Sequence, residues 1–505
     1  MDGNGNGKNG NGKSGNGKNG NETKAAPERV CEGDCRVRAL MRKQRLPAEG
    51  ERVRKSRFAF TLDTEDGRLL FHTLTRQLLI LPPGAAGLFD GDGLFPRAVL
   101  EEELPARLYE EYFLVPENSP ESRTYLELKD VLALKEERPK GFTHFVILPT
   151  SACNARCFYC FERGMRYQKM SAETVEDTLR FILRHKPENA KKIHIHWFGG
   201  EPMCAPDNID RICAGLTEAG IAFSAEMTSN GSLFTRETAE KAAQVWKIGE
   251  IQITLDGMAE EYARRKQYAS APERPFETVI RNMHLLIAAG IRVTVRLNTD
   301  ENNLEEIARA AEYLGEEFTG EEKKKLRVYA HSLYALSGEG PEACPAGAGS
   351  DALEERVAEI NEEILRRGLA RRDLSALFTL KTLYCMAAAP ENSVVIDAAG
   401  QLYACEAMPE GMRFGDVRSG PDPKARARVA APCAVRAECE ACVFLPPCTE
   451  FDRCPNRSDY DSCFRQEKRR LESERRHALG ECRDRPLGPG GTEGAGRKEA
   501  SNVSD

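Results

Sequence analysis

The feature that most constrains the fold of this sequence is a regular alternation of strand-like and helix-like segments between residues 144 and 333. Short apolar or alternating segments predict six strands, at 144–149, 192–198, 222–228, 250–256, 291–298 and 327–333. Amphipathic segments between them predict helices at 171–186, 208–220, 237–246, 277–290 and 304–315. This order implies a parallel sheet covered by helices, with a ligand site at the carboxyl ends of its strands.

The composition of the chain excludes several classes of protein. The 505 residues are 41% apolar and 30% charged, which is typical of a globular protein of about three domains. No run approaches the ~18 consecutive apolar residues of a membrane span, and no signal-peptide core is found. The net charge of −7 disfavours a nucleic-acid partner. We therefore expect a cytoplasmic protein that binds neither nucleic acid nor membrane.

The segments outside the alternation predict further units. Residues 1–29 are rich in Gly, Asn and Lys and are expected to be a disordered tail. Between 55 and 135, three strand-like segments and then short helical patterns suit a winged-helix-like domain, with Asp66-Gly67 as a hairpin signal. The α/β domain is predicted at 140–335, followed by a linker with a helix at 336–380. A cysteine-rich region follows at 381–465, and a charged helix with a disordered tail at 466–505.

Cysteines carry the strongest chemical signal. There are 17, and because cytosolic thiols stay reduced, their clusters indicate metal binding or catalysis before disulfides. Cys153, Cys157 and Cys160 form a CxxxCxxC motif after the first strand, a spacing expected by chance only about 0.02 times in this chain. Three thiolates in one loop suit three corners of a [4Fe–4S] cube and leave the fourth iron open. A zinc site would need a fourth protein ligand, which is not found nearby in sequence.

This motif resembles that of the radical S-adenosylmethionine enzymes. In that family the residue before the third cysteine lies near the adenine of the ligand, and here it is Tyr159. The segment Gly199, Gly200, Glu201 and Pro202, at the end of the second strand, is similar to the family's GGEP-like motif. Its glycines let the backbone approach, and its carboxylate and carbonyls accept bonds from the ligand's ammonium group.

Two later strands carry weaker resemblances to the same family. Ser229 and Asn230 lie in a segment similar to its TNG turn, so they are expected to face the ligand, although the segment also suits a simple turn. Arg296, on the fifth strand, suits a partner for the methionyl carboxylate or, alternatively, a surface ion pair. The resemblance implies a partial (β/α)6 barrel, with the winged-helix-like domain before it and a cysteine-rich iron–sulfur domain after it.

The C-terminal region holds eight cysteines between residues 385 and 463. Their spacing resembles the SPASM extension of radical peptide-modifying enzymes, which usually holds two auxiliary iron–sulfur clusters. The resemblance implies ligands for one cluster at Cys385, Cys405 and Cys454, and for the other at Cys439, Cys442, Cys448 and Cys463. The interval before Cys454 is longer than usual. The first cluster keeps an open iron unless Cys344 or Cys433 completes it. The alternative for this region is a zinc ribbon.

The resemblance also implies a function. Related enzymes place an acidic residue beside the substrate where Glu406 stands, and this residue is expected to take up a proton, although an exposed or ion-paired glutamate is equally consistent. The expected activity is maturation of a ribosomally made, cysteine-rich precursor peptide, forming thioether crosslinks through a 5′-deoxyadenosyl radical. The expected cofactors are S-adenosylmethionine and [4Fe–4S] clusters, one in the barrel and two auxiliary.

The partners and alternatives follow from the same comparison. The expected electron donor is a flavodoxin or a ferredoxin. The front domain resembles precursor-recognition modules, in which a leader peptide adds to a sheet edge as a strand. Carbon–carbon crosslinking and Ser or Cys oxidation of the sulfatase-maturating type are alternative activities. A zinc-binding regulatory or interaction protein is the alternative from another class.

Overall fold

The structure is a computed structural model of the chain. It describes residues 28–31, 33–41, 43–64, 67–81, 88–90, 93–135, 141–160, 162–163, 167–269, 273–333, 335–337, 344–346, 350–371, 379–380, 392–407, 410–430, 437–446 and 468. Most of the predicted N-terminal tail, the turn residue Asp66 and nearly all of the predicted C-terminal helix lie outside these residues. Glu28 and Arg29, predicted as part of the tail, instead belong to a strand.

The described residues from 28 to 135, called here the N-terminal unit, contain two antiparallel sheets. The first has the strand order β1-β5-β4-β3, and the second has the order β6-β2-β7. The strands are β1 Glu28–Cys31, β2 Arg52–Lys55, β3 Ala59–Thr64, β4 Gly67–His72, β5 Leu78–Leu81, β6 Leu94–Pro96 and β7 Leu114–Pro116. The three strands predicted here are therefore present as β3, β4 and β5, and they pair as a meander.

Three α-helices belong to the N-terminal unit, namely α1 Cys35–Leu40, α2 Glu103–Glu110 and α3 Glu121–Lys135. The short helical pattern at residues 106–115 forms a helix only as far as Glu110, because the chain turns at Tyr112 with a positive φ of 69° and enters β7. The first sheet has four strands where three were predicted, and β2 pairs into a separate sheet. The winged-helix-like assignment stays a prediction.

His72 is buried in the N-terminal unit, with an exposed fraction of 1%. Its Nδ1 accepts a hydrogen bond from Thr75 N at 3.1 Å, so its Nε2, 3.2 Å from Ser56 Oγ, carries the proton. Burial lowers the pKa of His72 to about 3. The ring is therefore neutral in the folded protein at pH values where the unfolded chain binds a proton.

We expect the free energy of unfolding to fall as the pH drops from about 6 to about 4, because the unfolded His72, with a pKa of about 6.5, takes up a proton that the folded state excludes. One proton contributes about 1.4 kcal/mol per pH unit. Urea unfolding at several pH values measures the slope. The variant His72→Gln keeps a donor for Ser56 and cannot titrate, so its slope should be smaller by this amount. Equal slopes would contradict the assignment.

The central sheet begins with six parallel strands in sequence order, from β8 to β13. They are β8 His144–Ile147, β9 Ile193–Trp197, β10 Phe223–Ser229, β11 Ile248–Leu255, β12 Arg292–Thr299 and β13 Leu326–Ser332. All six predicted strands are therefore confirmed. A sheet whose neighbours follow each other in sequence is the arrangement that a partial (β/α)6 barrel requires.

Helices connect these strands, namely α4 Ala172–His185, α5 Pro206–Glu218, α6 Arg236–Gln244, α7 Ala259–Lys266, α8 Pro275–Ala288 and α9 Leu304–Glu317. Ser171 caps α4 as predicted, since its side chain accepts a hydrogen bond from Thr174 N at 3.0 Å. The helix α7 was not predicted. The apolar faces of sheet and helices form one core in which Trp197 and Trp246 are fully buried.

The chain returns to the same sheet after α10 Asp351–Arg366 and a short pair, β14 Ala335–Ser337 with β15 Cys344–Ala346. Strand β16 Ser393–Ile396 pairs in parallel with β8, and β17 Gln401–Tyr403, β18 Arg413–Asp416 and β19 Gly420–Pro421 follow antiparallel. Helices α11 Pro423–Ala430 and α12 Ala437–Ala441 complete the described part. Among the residues that the structure describes, no helix has the length and apolarity to cross a membrane.

The N-terminal unit shares its apolar core with two distant segments of the chain. Leu380, Phe444 and Leu445, each 1% exposed, pack with residues of β3, β4, β5 and α3. Thr73 Oγ1 donates to the carbonyl of Val443 at 2.5 Å, and Arg36 Nη2 donates to that of Leu380 at 2.7 Å. The unit is therefore packed against a residue just before the cysteine-rich region and against a segment inside that region.

Candidate functional site

The three cysteines of the CxxxCxxC motif lie in one loop, which leaves the carboxyl end of β8 and leads to α4. Cys153, Cys157 and Cys160 are all partly buried, and none forms a disulfide. A bridge between Thr150 and Lys169 closes the base of the loop. The loop therefore sits at the edge of the parallel sheet where α/β proteins bind their ligands.

Two glycines after β9 allow this loop to approach. Gly199 has a φ of +105°, and a Cβ there would lie 2.6 Å from the carbonyl oxygen of Thr150. A Cβ on Gly200 would lie 2.5 Å from the carbonyl oxygen of Ala152. Any larger side chain would therefore push the cysteine loop away from the strand end. Close contact with the backbone of the cysteine loop thus explains why both positions of this motif are glycine.

Glu201 follows these glycines and is fully buried. Its carboxylate accepts hydrogen bonds from Ser229 Oγ and Asn230 N at 2.8 Å each, and from Met203 N at 3.1 Å. Burial raises the pKa of Glu201, against these bonds. The side chain therefore ties β9 to the turn after β10, and Pro202 opens the short 3-10 turn beside it. The carboxylate thus has an internal structural role, and contact of this segment with a ligand ammonium group stays a prediction.

The turn after β10 holds the cysteine loop from the other side. Asn230 Nδ2 donates to Asn154 Oδ1 at 2.8 Å and lies 4.0 Å from Cys153 Sγ. Asn154 in turn donates to Ser232 Oγ at 2.9 Å. The backbone N–H of Ala155 points to Cys153 Sγ at 3.4 Å. Ser229 and Asn230 thus form a turn that also supports the loop, so the two predicted roles are compatible.

Tyr159 joins the loop to the ends of β11 and β12. Its hydroxyl lies 2.8 Å from both carboxylate oxygens of Asp256, 3.0 Å from Lys266 Nζ and 3.2 Å from Asn298 Nδ2. Asp256, Lys266 and Asn298 are all buried. Sequence reasoning had placed Tyr159 near a ligand. It had not identified Lys266, whose position in a highly charged segment indicates an exposed residue.

The three thiols suit an iron–sulfur cluster in which each of three irons binds one cysteine thiolate. Burial raises the pKa of Cys153 to about 12 and that of Cys160 to about 11, and nearby acidic groups add to this effect. Such thiols lose their protons at neutral pH when a metal binds them. Within the described residues, no three His, Cys, Asp or Glu side chains converge on a single metal ion. The thiolates of a [4Fe–4S] cube bind different irons, so they need not converge in this way.

The face of the central sheet that points away from the helices is polar. It carries half-buried side chains at alternate positions of β8, β9 and β10, namely His144, His194, His196, Ser224, Glu226 and Thr228. The apolar positions of β9 and β10, together with Phe145 and Ile147 of β8, pack in the main core, whereas Val146 of β8 belongs to a separate small apolar cluster. This alternation was visible in the sequence, and polar residues at every second position of otherwise apolar strands indicate a functional interior.

Glu406 reaches this polar face from the loop after β17. Its Oε1 lies 3.2 Å from His196 Nδ1, and the other ring nitrogen lies 3.0 Å from Thr228 Oγ1. Glu226 Oε1 is 3.8 Å from the same Nδ1. The side chain of Glu406 is 40% exposed. The structure therefore makes His196 the partner of the predicted proton acceptor.

Arg296 extends from β12 on the polar face. Its Nη2 lies 3.3 Å from Nδ1 of His331 on the neighbouring strand β13. Thr254 of β11 lies directly opposite Arg296, and Asn298 is the next residue of β12 on the same face. The guanidinium therefore lies near the carboxyl ends of these strands, and its pairing with the methionyl carboxylate stays a prediction.

The predicted auxiliary-cluster cysteines fall into two places. Cys405 follows β17 next to Glu406, and it is partly buried. Cys439 and Cys442 lie in and just after α12, where they pack against the apolar core of the N-terminal unit. The remaining predicted ligands lie outside the described residues: Cys385, Cys433, Cys448, Cys454 and Cys463. The side chain of Cys344 is likewise outside the described part.

Comparisons with known proteins agree with this geometry. Residues 147–314 match the Radical SAM superfamily. The chain is 25% identical over 190 residues to Fe-coproporphyrin III synthase of Methanosarcina barkeri, covering 37% of this chain and 44% of that protein. It is 32% identical over 108 residues to the S-adenosylmethionine-dependent nucleotide dehydratase of a Thermoplasmatales archaeon, covering 21% and 36%. The chain thus spans less than half the length of the curated relatives it matches.

The fold is also similar to a solved structure, native anSMEcpe with bound AdoMet and Cp18Cys peptide. The TM-score is 0.52 with 16% identity, over 68% of this chain and 99% of that one. The fold and the cysteine loop thus define a radical S-adenosylmethionine (SAM) domain at residues 147–314. Domains of this superfamily bind S-adenosylmethionine and a [4Fe–4S] cluster.

Proposed function

We propose that this protein is a radical SAM enzyme that modifies a peptide by joining a cysteine sulfur to a peptide carbon as a thioether. The observation that carries the proposal is the cysteine loop at the carboxyl end of β8, fixed by Gly200 on one side and by Asn230 on the other. Cys153, Cys157 and Cys160 would hold the cluster, and its open iron would take S-adenosylmethionine.

The residues around the loop would orient that ligand. Tyr159 would lie beside the adenine, the carbonyls of 199–201 would accept the ammonium group, and Arg296 would pair with the carboxylate. When bound, the cluster would supply the one electron that cleaves the C–S bond of S-adenosylmethionine, and the 5′-deoxyadenosyl radical released would take a hydrogen atom from the substrate. In the net reaction a peptide C–H and a cysteine S–H become one C–S bond, while S-adenosylmethionine gives methionine, 5′-deoxyadenosine and a proton.

Glu406 would accept the proton of the reacting cysteine. Its carboxylate faces His196, and the hydrogen bond from Nδ1 to Glu406 makes Nε2 the acceptor for Thr228 Oγ1. These two hydrogen bonds fix the orientation of the imidazole. Nε2 of His196 would then be a second acceptor for the cysteine proton, close to Glu406. Polar side chains on this face of the sheet would exclude disordered water and position the peptide.

The auxiliary clusters are part of the same proposal. The ligand sets would be Cys385, Cys405 and Cys454 for one cluster, and Cys439, Cys442, Cys448 and Cys463 for the other. The separate packing of Cys405 and of Cys442 supports two sites. A thiolate of the substrate would bind at an open iron, and a flavodoxin or ferredoxin would supply electrons. We place this chemistry in the cytoplasm.

Two observations support a peptide substrate. The fold is shared with anSMEcpe, which has been solved with a peptide bound. In this chain, β3 is an edge strand, and a cavity of about 330 Å³ lies along it. Arg54, Lys55 and Arg57 line this cavity, and Glu121 pairs with both arginines. An acidic leader segment that adds to β3 would therefore meet an excess of positive charge.

We expect Lys55→Glu to weaken binding of an acidic leader peptide by roughly tenfold, because the substitution reverses one charge in this cavity. Fluorescence anisotropy of a labelled acidic peptide on the full chain measures the affinity. Lys43→Glu is the matched control, since this exposed residue does not line the cavity and changes the net charge equally. Equal affinities of the two variants would exclude β3 as the leader site.

The proposed activity is tested with anaerobically reconstituted protein, dithionite, S-adenosylmethionine and a set of synthetic cysteine-containing peptides, including Cp18Cys. A thioether product is lighter by two hydrogen atoms and lacks one alkylatable thiol. Carbon–carbon crosslinking would keep every thiol, and oxidation of a cysteine would link no residues. Absence of 5′-deoxyadenosine in every reaction would overturn the proposal, and bound zinc without sulfide would instead support the regulatory alternative.

A further inference from the structure

The helix α7 buries two neighbouring basic residues, Arg265 and Lys266, which are 0% and 2% exposed. Long cationic side chains are almost never fully buried unless they are paired. Arg265 is accounted for by two carboxylates. Its terminal nitrogens donate to Asp300 at 2.8 Å each, and its Nε pairs with Glu261. This arrangement joins α7 to the end of β12 and needs no further explanation.

Lys266 has a different environment. Its Nζ lies 2.7 Å from Thr254 Oγ1, 3.0 Å from Tyr159 Oη and 3.2 Å from Asp256 Oδ2, so its three N–H groups each have an acceptor. Its charged partner is the carboxylate of Asp256, which is fully buried. The ammonium group therefore places a positive charge inside the domain as part of a buried ion pair.

Both ends of this residue touch the cysteine loop. The carbonyl oxygen of Lys266 accepts the backbone N–H of Arg156 at 2.8 Å and lies 4.0 Å from Cys157 Sγ. Its ammonium group contacts Tyr159, between the second and third cysteines. The ammonium group therefore lies against the loop, beside the residue that precedes Cys160. No other ammonium group in the described part of the loop's surroundings is so completely enclosed.

We propose that Lys266 is a positioning residue whose buried positive charge raises the reduction potential of the iron–sulfur cluster on Cys153, Cys157 and Cys160. This inference rests on the proposed function, because it requires that cluster. The potential of an iron–sulfur cluster depends on the net charge, the hydrogen bonds and the solvent exposure around it. A charge in a dry interior acts more strongly than the same charge in water. Lys266 thereby favours the electron transfer that precedes cleavage of S-adenosylmethionine.

The test is a redox titration followed by electron paramagnetic resonance, on full-length protein reconstituted with iron and sulfide. To remove the auxiliary signals, the titration follows only the signal that added S-adenosylmethionine perturbs. Lys266→Met should make reduction about tenfold less favourable, which for a one-electron couple is a shift of about 59 mV to lower potential. Asp256→Asn should shift the potential upwards, because it leaves the ammonium charge without its counter-charge.

The double variant, Lys266→Met with Asp256→Asn, decides between charge and mere packing. It removes both charges, so its potential should return to that of the natural protein. It also leaves no unpaired buried charge, which makes it the variant most able to fold if a single one does not. The inference would be overturned if the reduction potential shifted in the same direction in both single variants. It would also be overturned if the potential of the double variant were as low as that of Lys266→Met. A natural protein that binds no cluster would instead refute the proposed function.

Discussion

Replacing Cys153, Cys157 and Cys160 together by alanine is expected to remove one iron–sulfur cube and to abolish formation of 5′-deoxyadenosine. The three thiols share one loop at the carboxyl end of β8, and each would bind a different iron, so the triple variant removes the whole set of ligands. The loss is measured as about four irons and four acid-labile sulfides per chain, together with chromatography of the nucleoside product.

Cys204→Ala is the matched control for this variant. Cys204 is a partly buried cysteine of the same domain, in the short turn after Glu201, and it does not belong to the motif. The control should keep its iron and its cleavage of S-adenosylmethionine. Continued 5′-deoxyadenosine formation by the triple variant would show that the active cluster lies elsewhere in the chain.

Glu406→Gln is expected to lower the number of crosslinks formed per 5′-deoxyadenosine by roughly 10²- to 10⁴-fold, the usual effect of removing a general base. The amide keeps the size of the side chain but cannot take up the thiol proton. In the natural protein Glu406 Oε1 lies 3.2 Å from His196 Nδ1. In the variant, either the amide oxygen or the amide NH₂ group would face Nδ1–H. Mass spectrometry of the peptide and quantification of the nucleoside give the ratio.

Glu218→Gln provides the control for this substitution, because Glu218 is exposed at the end of α5. It should leave the ratio unchanged. His196→Gln should lower the ratio less than Glu406→Gln if the histidine only orients the carboxylate. A Glu406→Gln variant that makes as many crosslinks per nucleoside as the natural protein would remove Glu406 from the mechanism.

Much of the central domain follows from local sequence patterns. The six parallel strands and the capping of α4 by Ser171 depend on side-chain periodicity and on a short-range hydrogen bond, and both are present within a few residues of sequence. The CxxxCxxC and GGEP-like segments identified the loop and the glycines for the same reason. The contact between Gly200 and Ala152 explains why that pattern has no side chains at these two positions.

Other features depend on partners that are distant in sequence. The segment from Glu260 to Lys266 is almost entirely charged, which indicates an exposed position, yet Arg265 and Lys266 are buried because Asp300 and Asp256 meet them there. His196 became a site residue only through Glu406, which is 210 positions away. No local pattern predicts such pairs, because they form through the packing of the whole domain.

The shared core of the N-terminal unit has a consequence for biosynthesis. The unit leaves the ribosome first, but Phe444 and Leu445 complete its apolar interior. At 5–20 residues per second, the nascent chain waits roughly 15 to 60 seconds between the end of the unit and these residues. During this time the faces of β3 to β5 remain without their final cover, and they are natural targets for chaperones. Truncated chains that end before Phe444 would contain the whole N-terminal unit in sequence but could not complete its apolar core.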